Sequence, residues 1–202
     1  MERAGEKWRR EARFYYGLAR LMARIRVARP DNRQTLADLV ERQARRRPGV
    51  TAILFERRAV TYREWDDTAN RVARWALRQG IERGDVVGLL MENRPEFLFV
   101  WAGLAKIGAV TALINSNQTG AALAHSIEVS GAKHLVLGAE LGPAAESGLA
   151  MVRERPNVWV LGGAHEGAFS LDRELTRDNL PVGRKARRGL TGSTAYNRRP
   201  GL

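Results

Sequence analysis

The fold class is decided by residues 84–97, which read GDVVGLLMENRPEF. The first half of this stretch, residues 85–91, is an apolar run typical of a strand that is covered on both faces of a sheet. Asn93 can cap a following helix, and Pro95 suits the first turn of that helix. The stretch therefore predicts a buried strand that leads directly into a helix.

Strands and helices alternate in the same way over the rest of the central part of the chain. Further strands are predicted at residues 109–114, 134–137 and 158–161, further helices at residues 119–131 and 144–153, and a hairpin at residues 52–55 and 60–62. Strands that alternate with helices over short links predict an α/β fold with a parallel, doubly wound sheet.

Two helix starts have the pattern of a capping box, in which each of two side chains binds the other's free backbone N–H. Thr35 precedes Asp38 by three residues, and Thr61 precedes Glu64 by three residues. The second helix runs to Gly80, where a left-handed C-terminal cap is expected. These signals predict one helix before the hairpin and one directly after it.

The positive charge of the chain is confined to its two ends. The 202 residues carry a net charge of +12, of which residues 1–30 contribute +6 and residues 181–202 contribute +6, so that the central 150 residues are neutral. A nucleic-acid-binding domain usually carries its charge as a stripe across the folded surface. The charge pattern therefore argues against a nucleic-acid partner.

The composition also predicts where the protein resides. The chain has no cysteine, which excludes disulfides and thiolate metal sites. Its basic N-terminus is not followed by the apolar stretch of a secretory signal, and no apolar run approaches the ~20 residues of a transmembrane helix. We therefore expect a cytoplasmic protein, with peripheral membrane contact as a further possibility.

That membrane contact would come from residues 8–27, which are predicted to form a basic amphipathic helix. Spacings of four, three and four residues place four apolar side chains on one face, with an amphipathic aromatic residue before them. The candidate membrane-contact residues are Trp8, Phe14, Leu18, Leu21 and Ile25. Such a helix can lie on an anionic lipid surface, or it can pack its apolar stripe on its own domain. Both alternatives remain open.

Three segments follow from these patterns. Residues 1–30 form the basic helix, residues 31–180 the α/β domain, and residues 181–202 a basic tail without an apolar period, which is expected to be disordered. The oligomeric state is not predicted by the sequence.

Few side chains have the spacing of a reactive site. None of the three histidines, His125, His134 and His165, has a second metal ligand at a suitable distance along the chain. The neighbouring residues Asp66 and Asp67 are expected on a solvated helix face. Residues 162–167 are rich in glycine but lack the lysine or hydroxyl of a phosphate loop, which favours an ordinary loop. No catalytic, cofactor-binding or metal-binding residue is assigned.

Several segments resemble the adenylate-forming, or AMP-binding, enzymes. They are AVTYREW at residues 59–65, ANRVA at residues 69–73, the stretch at residues 84–97, and LAKIGAV at residues 104–110. A narrower match, ALINSNQ at residues 112–118, is similar to the long-chain and very-long-chain acyl-CoA synthetases and fatty acid transport proteins. The resemblance implies the N-terminal domain of such an enzyme, with only part of its doubly wound sheet.

Enzymes of this family activate a fatty acid with ATP and Mg²⁺ and then transfer the acyl group to coenzyme A. The resemblance implies those ligands for the full-length enzyme, but this chain has no match to the family's phosphate loop, thr-ser-gly-thr-thr-gly-x-pro-lys. Whether the chain is itself an enzyme is therefore uncertain. We expect an N-terminal fragment that is inactive alone; the alternative is a non-catalytic membrane-surface or partner-binding module.

The resemblance ends near Ser193, where the family enters the strand before its phosphate loop. Residues 194–202 are polar, basic and without pattern. A shifted reading frame is favoured over a tail that evolved independently, and the downstream DNA in another frame is expected to encode the missing loop.

Overall fold

The computed structural model of the chain describes residues 35–177. This part begins with a helix, a β-hairpin and a second, longer helix. The bounds are α1 Leu36–Arg46, β1 Thr51–Phe55, β2 Arg58–Thr61 and α2 Tyr62–Arg78. The two strands pair antiparallel, with an irregularity between Thr51 and Ile53.

Both predicted capping boxes are confirmed. The Thr35 backbone N–H donates to Asp38 over 2.8 Å, and the Thr61 N–H donates to Glu64 over 2.7 Å, while each threonine hydroxyl accepts in return. These hydrogen bonds hold the pKa of Glu64 below its ordinary value, with the Thr61 backbone N–H as the main cause. Gly80, two residues past the end of α2, has a φ of +73°, which confirms the left-handed cap predicted there.

A five-stranded parallel sheet follows. Its elements are β3 Val86–Leu90, α3 Pro95–Ile107, β4 Val110–Leu113, α4 Gly120–Ser130, β5 His134–Gly138, a 3₁₀ turn Ala139–Leu141, α5 Gly142–Leu149, β6 Asn157–Leu161, β7 Phe169–Ser170 and α6 Leu171–Thr176. The strand order is β4-β3-β5-β6-β7, and every pair is parallel. The chain moves outward from β3 to β4 and then returns past β3 to build the other side.

Helices cover both faces of this sheet, which confirms the doubly wound α/β prediction. On one face, Val87 and Leu89 of β3 pack in a core with residues of α2, α3 and α6, including the fully buried Trp75. On the other face, Leu90 and Leu135 pack with residues of α4 and α5. Because both faces are covered, the strands consist almost entirely of apolar residues.

A third core joins the hairpin and α1 to the outer sides of α2 and α3. Val40, Val60, Trp65 and Phe99 are buried there. The Trp65 indole donates a hydrogen bond to the Leu98 carbonyl over 3.2 Å, which fixes α2 against α3. This packing holds the hairpin beside the start of α3.

Some predicted helix starts and ends differ from the structure. Arg94, not Asn93, is the N-cap of α3, because Pro95 occupies the first helical position and restricts the residue before it to extended backbone. Thr119 is the N-cap of α4, but its side chain makes no capping hydrogen bond. The helix predicted at residues 144–153 is Gly142–Leu149.

The sequence did not predict β7 and α6. β7 has only two residues, too few for an alternating pattern, and α6 has six residues. Ser170 caps α6 by accepting a hydrogen bond from the Arg173 backbone N–H over 3.3 Å. These elements extend the regular structure past residue 161, where the predicted pattern ended.

Candidate functional site

Parallel α/β sheets bind ligands at the carboxyl edge, where neighbouring strands send their connections in opposite directions. In this sheet that point lies between β3, whose connection leads to β4, and β5, whose connection leads to β6 on the other side. The loops after β3, β5 and β6 meet there. This edge is therefore the candidate site that the fold itself indicates.

The centre of the edge is occupied by Arg94, whose side chain is 23% exposed. Its Nη2 donates to the Leu161 carbonyl over 2.9 Å and lies 3.3 Å from Glu140 Oε2. The other oxygen of Glu140 accepts from the Glu92 backbone N–H over 3.1 Å. Arg94 and Glu140 thus join the loops that follow β3, β5 and β6, and we call this set of contacts the Arg94 brace.

The backbone of the loop after β6 comes close to the guanidinium of Arg94. Gly162 follows β6 with a φ of +87°, and a Cβ built there would lie 2.9 Å from Arg94 Nη1. The positive φ favours glycine, and a side chain at this position would have to displace the end of the Arg94 side chain. The guanidinium is therefore enclosed by the loop as well as hydrogen bonded to the strand end.

An open cleft of about 520 Å³ lies between the hairpin turn and the start of α3, beside the Arg94 brace. Arg58 Nη1 lies 2.6 Å from Glu96 Oε1, and the Arg58 guanidinium sits 5.9 Å from the centre of the Phe99 ring. Arg94 Nε is 4.0 Å from Glu96, beyond hydrogen-bond length. A carboxylate thus holds each of the two guanidinium groups. The residues that line the cleft are therefore better suited to bracing the loops than to binding a phosphate.

The glycine-rich loop is also tied to its surroundings. The Gly162 N–H donates to Asp172 Oδ2 over 2.8 Å, so it is already used. His165 Nε2 lies 3.1 Å from Glu146, which also binds Arg155 over 3.2 Å. Hydrogen bonds from Arg155 and then from His165 hold the pKa of Glu146 below its ordinary value. These contacts agree with the interpretation of residues 162–167 as an ordinary loop.

The remaining histidines belong to separate environments. His125 is exposed on α4, whereas His134 accepts a hydrogen bond from the Trp159 indole over 3.3 Å at Nδ1. Burial lowers the pKa of His134, and this effect exceeds the opposing influence of Asp85. Within residues 35–177 no group of histidine, cysteine and carboxylate side chains could hold a metal ion.

The expectation of a solvated face for the two neighbouring aspartates was wrong for Asp66. Its carboxylate lies 2.8 Å from Lys106 Nζ and accepts a hydrogen bond from Asn70 over 3.3 Å. Asp67 is exposed, as expected. The difference arises because α3 packs against α2 and brings Lys106 over the Asp66 side, a contact that helix periodicity alone does not show.

The membrane-contact residues predicted from the sequence, Trp8, Phe14, Leu18, Leu21 and Ile25, lie outside the described residues. The tail at residues 181–202 does so as well. In the part of the chain that the structure describes, no helix is both long enough and apolar enough to cross a membrane.

Sequence reasoning missed the Arg94 brace. Arg94 and Glu140 are 46 positions apart, and their contact depends on β5 lying next to β3. The available signal was a basic residue directly after one predicted strand and an acidic residue directly after another. If the sheet order had been known, this pair would have been a candidate, because parallel strands end at the same edge.

Comparison with known proteins agrees with this architecture. A family model for AMP-binding enzymes matches residues 40–178. Human long-chain fatty acid transport protein 6 is 33% identical over 177 residues, which cover 85% of this chain and 29% of that protein. The medium/long-chain fatty acid–CoA ligase FadD6 of Mycobacterium tuberculosis is 32% identical over 115 residues, covering 57% of this chain and 19% of the ligase.

Solved structures give the same result. A putative long-chain fatty acid CoA ligase from Rhodopseudomonas palustris has a TM-score of 0.63 at 25% identity, over 70% of this chain and 36% of that one. The inhibitor-bound N-terminal domain of FACL13 from M. tuberculosis has a TM-score of 0.60 at 28% identity, over 69% and 35%. The chain spans less than a third of the length of these curated relatives. The match over residues 40–178, together with the parallel sheet that carries it, places the chain in the family of AMP-binding enzymes.

Proposed function

We propose that residues 35–177 are the first part of the ligase domain of a long-chain fatty acid–CoA ligase, and that the 202-residue chain by itself forms no acyl-adenylate. The observation that carries the proposal is the family match over residues 40–178, in a chain whose sequence has no phosphate loop of that family. In the complete ligase, this part supplies a rigid sheet on which the binding loops are mounted.

The chemistry of adenylation explains why this part is insufficient. Transfer of the adenylyl group requires backbone N–H groups and a lysine around the phosphates, with a metal ion to screen their charge. At the carboxyl edge described above, Arg94 is bound to Glu140, and in the cleft beside it Arg58 is bound to Glu96. A triphosphate would have to displace a carboxylate from each guanidinium.

The names of the relatives support a substrate class. The names of the matched proteins refer to long-chain fatty acid transport and to the ligation of medium-chain and long-chain fatty acids to CoA. We infer that the complete ligase acts on a fatty acid with ATP, Mg²⁺ and coenzyme A.

The test is an assay of the purified chain with palmitate, ATP, Mg²⁺ and coenzyme A, followed by mass spectrometry of palmitoyl-adenylate and palmitoyl-CoA. Circular dichroism shows first that the chain is folded, and the full-length medium/long-chain fatty acid–CoA ligase FadD6 of M. tuberculosis is run in parallel for comparison. We expect neither product from the chain. Turnover that rises in proportion to the concentration of the chain would overturn the proposal.

A second candidate function is a membrane-surface module, located on the cytoplasmic side and anchored by residues 8–27. It is favoured by the +6 charge of residues 1–30 and by the apolar spacing of Phe14, Leu18, Leu21 and Ile25. The attraction of the arginines to anionic lipid and the burial of the apolar stripe would both favour binding to the membrane surface. This candidate is compatible with the first, because a part of a ligase can keep its own membrane contact.

Flotation with liposomes that contain an anionic lipid tests whether residues 8–27 anchor the chain to a membrane surface. We expect the full chain to float, and we expect a chain that starts at Pro30 and the double variant Leu18→Glu, Leu21→Glu to stay in the dense fraction. Vesicles of a neutral lipid should retain much less of the full chain. If all three forms float equally, residues 8–27 are not the anchor.

A further inference from the structure

The charge of the α/β domain is unevenly distributed along the chain. Residues 35–63, which form α1, the hairpin and the first two residues of α2, hold seven arginines and three acidic residues, a net charge of +4. Residues 64–177 carry a net charge of −3. The neutral sum over the central residues therefore conceals a basic part and a weakly acidic part.

The basic part has an exposed face on α1. Val40 is buried in the core that joins α1 to α2 and α3. Leu39, Arg42 and Arg46 follow one another at spacings of three and four residues, which places them together on the side of α1 that faces away from this core. Leu39 is 43% exposed, and Arg46 is exposed as well. An aliphatic side chain thus lies beside guanidinium groups in contact with water.

Further exposed residues adjoin the end of α1. Arg47 is its C-cap, and the Arg47 carbonyl accepts a hydrogen bond from the Val50 N–H over 3.2 Å. The Arg63 N–H, at the start of α2, donates to the Pro48 carbonyl over 3.2 Å. Val50 is 49% exposed, and both arginines are exposed beside it. We use the name arginine surface for the set Leu39, Arg46, Arg47, Val50 and Arg63.

Most of the nearby carboxylates are held by other groups. Asp38 and Glu64 are the acidic partners of the two capping boxes, and Glu41 lies 3.6 Å from Lys106 Nζ. Asp67 is exposed one turn further along α2 and offsets part of the positive charge. Among residues 35–177, no carboxylate lies within ion-pair distance of the three arginines of the surface. Their guanidinium groups are therefore available to a partner.

We propose that the arginine surface docks on an anionic phospholipid bilayer. Guanidinium groups form paired hydrogen bonds with phosphate oxygens, and the negative charge of the lipid attracts them to the headgroup layer. Leu39 and Val50 lie among the arginines and fit the boundary between headgroups and acyl chains. A single-stranded nucleic acid would be bound better by aromatic side chains on which bases stack, whereas these two residues are aliphatic.

This contact is separate from the anchor proposed at residues 8–27. Three arginines that act alone bind weakly, so the chain that starts at Pro30 still stays in the dense fraction during flotation. In the full chain, a bilayer held by one contact is at high effective concentration for the other. The arginine surface therefore strengthens binding and determines which side of the α/β domain faces the lipid.

A fluorescent probe tests this orientation directly, because the chain has no cysteine and one can be introduced at a chosen position. Val50→Cys in the full chain is labelled with a polarity-sensitive fluorophore and mixed with vesicles of phosphatidylserine and phosphatidylcholine. We expect emission to rise about twofold or more as the probe enters the lipid boundary. The matched control is Val129→Cys, which is 71% exposed on α4, over the opposite face of the sheet, and its emission should stay unchanged. No response at Val50→Cys, or an equal response at both positions, would overturn the proposal.

Removal of charge provides a second measurement. We expect the affinity of the full chain for the same vesicles to fall about tenfold or more in the triple variant Arg46→Ala, Arg47→Ala, Arg63→Ala. The control removes the same charge at three exposed residues that directly precede β3, β5 and β6 or lie in the loops before them, Arg83→Ala, Lys133→Ala and Arg153→Ala. It should change the affinity about threefold or less. Equal losses in both triple variants would mean that only net charge matters, which contradicts a docking surface.

The probe also distinguishes this contact from the other possibilities. If Leu18→Glu, Leu21→Glu leaves vesicle binding unchanged, residues 8–27 are not the anchor, and the response of Val50→Cys still decides whether the arginine surface meets the lipid. Binding of a short RNA that the arginine triple variant loses, without any response of Val50→Cys on vesicles, would assign the surface to nucleic acid and overturn the proposal.

Discussion

Arg94 connects the ends of three strands through one guanidinium group. Its contacts with Glu140 and with the Leu161 carbonyl are 3.3 Å and 2.9 Å long, and the group is largely shielded from water. Removing the guanidinium leaves one oxygen of the Glu140 carboxylate and the Leu161 carbonyl without this donor. At the residue scale, the Arg94 brace is the main polar feature of the carboxyl edge.

The first prediction follows from that arrangement. Arg94→Ala should lower the free energy of unfolding by about 1–3 kcal/mol, as measured by urea denaturation, because charged hydrogen bonds are lost at a partly buried site. Arg57→Ala is the control, since Arg57 lines the same cleft and is exposed, and it should change stability by about 0.5 kcal/mol or less. Equal effects of both changes would show that the brace does not contribute.

The second prediction concerns pH. Burial holds the pKa of His134 below its ordinary value, with Asp85 opposing this shift and Lys133 adding to it, so the folded chain favours the neutral ring. This contribution to stability is complete above the unfolded-state value of about 6.5 and is lost as the pH falls through it toward the lower folded pKa. We expect the melting temperature to fall between pH 7 and pH 5.

The matched variant for the pH experiment is His134→Asn, which keeps an acceptor for the Trp159 indole but does not titrate. It should show a smaller decrease in melting temperature over the same range. Unchanged pH dependence would exclude His134 as the source.

Contacts between side chains that are far apart in the sequence are the part of the site that the sequence did not predict. Asp66 was expected in solvent because its own helix gives no reason for burial, and Lys106 reaches it only when α3 packs against α2. Arg94 and Glu140 meet only because β5 lies beside β3. Each pair depends on the order of elements in space, which local patterns do not specify.

At the scale of helices and strands, prediction from the sequence was more successful where a feature depends only on residues close together in the chain. The capping boxes at Thr35 and Thr61 involve side chains three residues apart, and both are present in the structure. The start of α3 was misplaced by one residue because the effect of Pro95 on its predecessor outweighs the capping preference of Asn93. β7 was missed because two residues are too few to show a period.

The third prediction tests the contact between α2 and α3. Gly103 lies at their closest approach, and a Cβ built there would be 2.7 Å from the Ala69 carbonyl oxygen. Because that atom belongs to the backbone, the helices must separate to admit a methyl group. Gly103→Ala should therefore destabilise the chain by about 1–3 kcal/mol, although alanine is the better helix former.

Thermal unfolding of a matched variant checks this reasoning. Gly49→Ala places a methyl group where no atom lies within 4 Å, and it should have little effect on the melting temperature. A Gly103→Ala chain as stable as the wild type would show that the helices are less closely packed than described.

At the scale of the whole molecule, alternating strands and helices were sufficient to predict a doubly wound α/β sheet. The order of the strands was not predictable in this way, since the same local pattern allows β5 to lie beside β4 or on the free side of β3. The resemblance in residues 59–118 supplied the family, and the match over residues 40–178 confirmed it. The proposal that the chain lacks adenylation chemistry rests on the whole sequence, not on one site.

The most direct test of that proposal is equilibrium binding of ATP with Mg²⁺ to the folded chain, measured by isothermal titration calorimetry. Binding is a stricter test than turnover, because a chain with a phosphate site but no catalytic groups would still bind. The account predicts no saturable heat at millimolar nucleotide, because no lysine-bearing phosphate loop is present and the guanidinium groups at the sheet edge and in the cleft beside it are held by carboxylates. Saturable binding at one nucleotide per chain, abolished by excess AMP, would contradict it.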